Sequence, residues 1–223
     1  MRTLHFSAYT HGGAGICASR LNKSLNSPNL PCESFLIDSF SENYSSYQNV
    51  HVFLKEFKIS PSQLKSKLLS TLISPVLTKN YPFPSYLGLT TSSIPRNAIA
   101  AIHPDIIHFH WTAAEFISPE FINSLSIPYV FTLHDSWFLN GCLAYSESQL
   151  PNSLSSISPA LNPFHKIIDS LTLSRKKSSY LNKPLHLVAP SGWMASLAQR
   201  AYPYANITVI PNPVCPTTFR PIE

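Results

Sequence analysis

The sequence predicts an α/β, Rossmann-like, doubly wound fold with a mostly parallel sheet of about seven strands. Three observations predict it. Short apolar runs alternate with stretches long enough to be crossover helices. The first run passes directly into a glycine turn, Gly12-Gly13-Ala14-Gly15, and then into helical periodicity. Later runs end in clusters of polar and aromatic residues, at His108 to Trp111 and His134 to Trp137, which is where an open parallel sheet places its ligands.

The elements follow in order. Thr3 to Ala8 is an apolar run that stops at Tyr9-Thr10-His11, after which Ile16, Leu21 and Leu25 recur at roughly helical spacing. Ser34 to Ile37 and Val50 to Leu54 are the next strands, separated by polar Ser, Glu and Asn. From Pro61 to Thr78, Leu64, Leu68, Leu69, Leu72 and Ile73 predict an amphipathic helix with Lys65 and Lys67 on its wet side, and Pro82 and Pro84 mark an irregular loop. Asp105 to Trp111 and Tyr129 to Leu133 are strands joined through a short helix at Pro119 to Leu125, which implies a right-handed parallel pair. Pro151 to Pro163 reads as a loop, followed by a basic helix through Arg175, Lys176 and Lys177. Leu185 to Ala189 is a strand, Ser191 caps a helix running to about Tyr202, and Ile207 to Ile210 is the last strand.

Composition narrows the class. Hydrophobic residues make up 44% of the 223 and charged residues 12%, against about 25% charged in an average soluble domain. Disorder needs the opposite balance. The net charge of +5 and pI near 9.0 suit an anionic partner such as a nucleotide diphosphate, an acidic glycan or a membrane surface, and equally a plain solvated surface. Cys17, Cys32, Cys142 and Cys215 form no CxxC pair, so they read as reduced thiols, with no metal site and no cofactor expected. No signal peptide is read at the start, and no stretch approaches the roughly 18 to 20 apolar residues of a membrane span. The expected location is cytoplasmic, with any membrane contact peripheral at the inner face, and no nucleic-acid partner.

Three strand ends carry the candidate chemistry. At Gly12, Gly13, Ala14 and Gly15 the backbone can approach a ligand closely, and the following helix offers free N–H groups to an anion. The pattern is not GxGxxG, and simple tight-turn packing accounts for it as well. In His108-Phe109-His110-Trp111, alternation puts the two histidines on one face and the two aromatics on the other. His134 followed by Asp135 at the end of the next strand could act as a base or position a sugar hydroxyl. Trp111 and Trp137 could stack on a sugar or fill core space. No GxSxG elbow is present, so serine hydrolase chemistry is not supported.

Taken in order, the glycine turn, Asp105 to Trp111, Pro128 to Asp135, Trp137 to Cys142, Ala189-Pro190-Ser191-Gly192-Trp193 and Ile210-Pro211-Asn212-Pro213-Val214 resemble the N-terminal half of the GT-B fold retaining glycosyltransferases of family 4. The resemblance implies that residues 1–209 form the acceptor-side Rossmann-like domain. It also implies that 210–223 is an interdomain linker, and that the C-terminal donor-binding domain, with its paired glutamates, is absent. It further implies that the glycine turn lies near the donor phosphates and that His134 contacts the transferred sugar. Asp135 would share the catalytic position, with His110, Trp111 and Trp137 shaping the substrate side. The partners would be a nucleoside diphosphate sugar, held through the missing domain, and a glycan or lipid-linked acceptor. Pro213 and Cys215 depart from the family's linker pattern, and no cysteine-rich insertion follows Cys142. The expected function is therefore transfer of a sugar with retention, by a chain inactive alone. The alternative is a non-enzymatic acceptor-binding subunit or a truncated remnant.

Overall fold

The computed structural model describes residues 1–38, 64–65, 68–69, 71–73, 85–89, 91, 93–145, 163–181, 183–216 and 219–220. Six of the apolar runs become strands: β1 (Arg2–Phe6), β2 (Glu33–Ile37), β3 (Ile106–Phe109), β4 (Tyr129–Thr132), β5 (His186–Ala189) and β6 (Asn206–Val209). Between them lie α1 (Gly12–Leu25), α2 (Ser93–Ile102), α3 (Pro119–Asn123), α4 (Pro163–Tyr180) and α5 (Gly192–Ala201). The strand expected at Val50–Leu54 lies outside the described residues, as does most of the loop expected from Pro151. Of the helix expected over Pro61–Thr78, residues 64–65, 68–69 and 71–73 are described, and they are helical.

Two of the helices begin where the sequence supplies an oxygen acceptor. Ser118 accepts from the Phe121 N–H at the start of α3, and Ser191 accepts from the Met194 N–H at the start of α5. Such caps contribute about 1 kcal/mol each. His11, before α1, makes no side-chain cap.

All strand pairs are parallel, and the six-stranded order is β2-β1-β3-β4-β5-β6. In β1, Thr3, Leu4, His5 and Phe6 are all buried, as expected for a parallel strand covered on both faces. The two faces differ in kind. Leu4, Phe6, Ile107, Phe109, Phe131, Leu133, Leu187 and Ala189 join residues of α2, α3 and α5 in one hydrophobic core, in which Phe109 stacks on Phe6 and Phe131. Burying each such side chain contributes about 1.5–3 kcal/mol. The alternate residues make a polar face. His5 is in register with His108, and beside them lie Thr3, His110 and Thr132.

The strand order also fixes where a ligand can bind. From β1 the chain runs through α1 to β2 on one side, then returns to β3 on the other. The loops after β1 and β3 therefore lead towards opposite faces of the sheet, which is where an open α/β sheet forms its ligand crevice. This is the topological switch point of an open α/β sheet.

Candidate functional site

The glycine turn opens onto that crevice. Gly12 adopts φ +72°, a left-handed conformation that favours glycine. Gly12 and Gly13 have open space where a Cβ would stand, whereas a Cβ on Gly15 would come within 2.4–2.5 Å of the backbone of Thr10 and Tyr9. Gly15 is thus required for packing, and Gly12 and Gly13 leave the start of α1 bare. No acidic residue occupies the first turn of α1, so no carboxylate of the helix itself opposes its free N–H groups and positive dipole end.

Beside the turn, the polar face of the sheet carries a chain of imidazoles. His5 Nδ1 lies 3.2 Å from His110 Nε2, and His110 Nδ1 lies 3.0 Å from His134 Nε2. His108 is held separately, its Nε2 2.8 Å from the Thr132 hydroxyl. Burial lowers the pKa of His5 and His134 to about 4. It lowers His108 to about 3, with the neighbouring His5 and His134 adding to the effect, and it holds His110 well below 6.5. The rings are neutral at physiological pH because a buried imidazolium would lose its hydration.

Neutral imidazole is also the form that ligates metals. His5, His108 and His110, or Cys17, His110 and His134, bring ligand atoms within 4.8 Å of one another.

The structure brings Asp135, Trp111 and His134 together at the ends of β3 and β4. Asp135 Oδ2 accepts from the Trp111 indole N–H at 3.0 Å, and Oδ1 accepts from the Trp137 backbone N–H at 2.9 Å. Burial pushes the Asp135 carboxyl up, opposed by those two donors and by Lys176. Both carboxylate oxygens are thus engaged in holding two tryptophans. Trp111 stacks on Tyr9 and meets the Tyr86 ring edge-on, forming a half-buried aromatic platform. His110, Trp111, His134, Asp135 and Trp137 line a cavity with room for about one water molecule. Trp137 itself is 3% exposed, and its indole N–H donates to the Tyr86 carbonyl.

Sequence reasoning missed the residues that hold these parts in place. Lys176 is fully buried and donates to the carbonyl oxygens of Trp137, Asn140 and Gly141 at 2.6, 3.0 and 2.6 Å, with its ammonium 3.4 Å from the centre of the Trp137 ring. Burial pulls its pKa well below 10.5, while Asp169 and Asp135 pull it back. Three carbonyl acceptors need three protons, which only the ammonium form supplies. Asp169 accepts the N–H groups of Cys142 and Leu143, and its backbone oxygen leaves no room for a side chain at Gly141. Glu115 accepts the N–H groups of Gly88 and Leu89.

The helix expected through Arg175, Lys176 and Lys177 is present as α4, but its three cations diverge. Arg175 pairs with Glu120 and donates to the carbonyls of Leu87 and Gly88, Lys176 points inward, and only Lys177 of the three is exposed. A signal existed in the spacing: adjacent helical residues point in directions about 100° apart, so three consecutive cations cannot share one face.

The family model of Glycosyltransferase Family 4 matches residues 48–217. The chain belongs to this family. The match takes in β3 to β6 and therefore His108, His110, His134 and Asp135; the glycine turn precedes it. No curated protein and no solved structure matches the chain. Membership makes this a glycosyltransferase domain acting between a sugar donor and an acceptor. Among the described residues, no helix is long and apolar enough to cross a membrane.

Proposed function

We propose that this family 4 chain is the acceptor-side half of a retaining glycosyltransferase that moves a sugar from a nucleoside diphosphate sugar to a glycan or lipid-linked acceptor. The observation that carries the reading is the lining of the small cavity at the ends of β3 and β4. His134, Asp135 and Trp111 converge there with neutral, hydrogen-bonding and aromatic surface, and the lining contains no Lys or Arg. Such a wall suits sugar hydroxyls and ring faces. Among the described residues that line the cavity a diphosphate finds no cation, so its charge must be met by the N-terminus of α1 and by cations of a second, donor-binding domain.

In this reading His134 holds the transferred sugar by a hydrogen bond, and Asp135 sets the position of Trp111 rather than taking a proton. Trp111 and Tyr9 offer a platform for the acceptor. The leaving diphosphate is stabilised electrostatically at the start of α1, where Gly12 and Gly13 allow close approach. Retention fits a site where Asp135, the carboxylate among the described residues lining the cavity, is already engaged by two N–H donors.

The test is a comparison of ligands on the chain alone. Saturation-transfer NMR with oligosaccharides should show contact with Trp111 and His134, and UDP-hexoses and GDP-hexoses should not be hydrolysed at a detectable rate. Robust turnover by the chain alone would overturn the half-site reading, and tight nucleotide binding without glycan binding would overturn the acceptor-side assignment. In an enzyme reconstituted with a donor-binding domain, His134→Ala should lower turnover about 2- to 10-fold, the value of one lost neutral hydrogen bond of about 0.5–1.5 kcal/mol. Acceptor binding should change less.

A further inference from the structure

The imidazole chain has a direction, set by a buried nitrogen at one end that has no partner. His5 is fully buried, and its Nε2 makes no hydrogen bond. Its Nδ1 contacts His110 Nε2, and His110 Nδ1 contacts His134 Nε2. Three neutral rings carry three N–H protons, one each. Two arrangements satisfy both contacts. In one, His5 Nδ1–H donates to His110, His110 Nδ1–H donates to His134 Nε2, and His134 keeps its proton on Nδ1. In the other every proton moves to the opposite nitrogen, and the orphan at His5 Nε2 becomes a buried N–H without an acceptor. Any mixed arrangement sets two N–H groups or two lone pairs against each other.

Orphaned buried N–H groups are rare in proteins. The first arrangement leaves only a lone pair at His5 Nε2, and it is the one the site should hold. We propose that His5 and His110 are positioning residues that lock His134 in its Nδ1–H form, so that His134 meets its ligand as a hydrogen-bond donor. The Nε2 of His134 is committed to His110, which leaves Nδ1 as the nitrogen it can offer, and the ring is partly exposed on the cavity it lines. A donor in that place takes an oxygen acceptor, such as a sugar hydroxyl or ring oxygen, and cannot serve as a base toward the ligand. The ligand class rests on the proposed function above; the tautomer does not.

The geometry also favours hydrogen bonding over a metal ion among these rings. His110 belongs to both sets of residues that could hold an ion, and in the chain its two nitrogens are already spent on His5 and His134.

The experiment is a long-range ¹H–¹⁵N correlation spectrum of the uniformly ¹⁵N-labelled chain at pH 7. The nine histidines would be assigned by single substitution, with no ligand added. The expected result is a protonated Nδ1 and a bare Nε2 on His5, His110 and His134 alike. In His5→Asn the side-chain amide stands where Nδ1–H stood, and the His134 pattern should be retained. In His5→Leu the donor is gone, and His134 should shift towards a mixture of both tautomers. A wild-type His134 protonated on Nε2 would overturn the proposal, as would a His134 pattern unchanged by His5→Leu in a folded protein. Equimolar Zn²⁺ that moves the resonances of His5, His108 and His110 together would also overturn it, in favour of a metal site. The wild-type spectrum decides the question even if both variants unfold. A chain that shows this pattern but binds no glycan would leave the relay standing and remove the function.

Discussion

At the scale of single residues, the glycines of the first turn divide by what surrounds them. Gly15 meets the Tyr9 and Thr10 backbone at distances no Cβ tolerates, so Gly15→Ala should force the turn apart and cost about 1–3 kcal/mol or more in urea unfolding. Gly13→Ala, with open space around it, should leave stability unchanged or slightly raised, because alanine is the better helix former by about 1 kcal/mol. Its effect belongs instead to whatever approaches the start of α1. Lys176 is the other residue on which much depends. Lys176→Met keeps the length of the side chain but strands three buried carbonyls and leaves Asp169 and Asp135 without their counter-ion. A loss of about 3–5 kcal/mol is expected, the usual result of removing one partner from a buried charged network, read as a lower denaturant midpoint.

At the scale of elements, β1 and β3 each give one side to the aromatic core and the other to a histidine, His5 and His108, while His134 follows β4. The sign of the pH effect follows from the lowered pKa values. Unfolded, these histidines titrate near 6.5; folded, His5 and His134 titrate near 4 and His108 near 3. Between those limits the unfolded chain binds more protons, so stability is full above about pH 6.5 and falls as the pH drops towards 4, by up to about 1.4 kcal/mol per pH unit for each histidine. Thermal melts from pH 8 to 4 should show Tm flat at first and then declining steeply. The decline should be shallower in His108→Gln, which removes one of the titrating groups.

Strand ends made His110, Trp111, His134 and Asp135 legible from sequence alone, because alternation and the position of each apolar run place them at the carboxyl edge. His5 was not legible. It lies 105 residues from the His110 it contacts, inside a run that reads as apolar, and only the β1–β3 register joins them. Lys176, Asp169 and Glu115 were hidden for the same reason, since each binds backbone groups far away in sequence and leaves no local pattern.

At the scale of the whole molecule, the segment after β6 returns to α1. Cys17 Sγ donates to the Asn212 side chain, Arg20 donates to the Pro213 carbonyl at 3.0 Å, and the Arg20 guanidinium lies 5.4 Å from the centre of the Phe219 ring. Arg20→Ala should free this segment, seen as faster hydrogen exchange over 210–220 with the exchange of β1 and β3 unchanged. Through α1, the contact links the end of the sheet to the helix whose start faces the crevice.

The sequence by itself determined the alternation of strands and helices, the glycine turn, and the strand-end residues that mark the family, because these are local patterns of polarity and backbone freedom. Tertiary structure decided which strand neighbours which, and with that the switch-point crevice, the inward turn of Lys176 and the joining of His5 to His134. Those depend on parallel pairing between distant segments, where the register of a strand, rather than the identity of any one residue, sets which side chains meet.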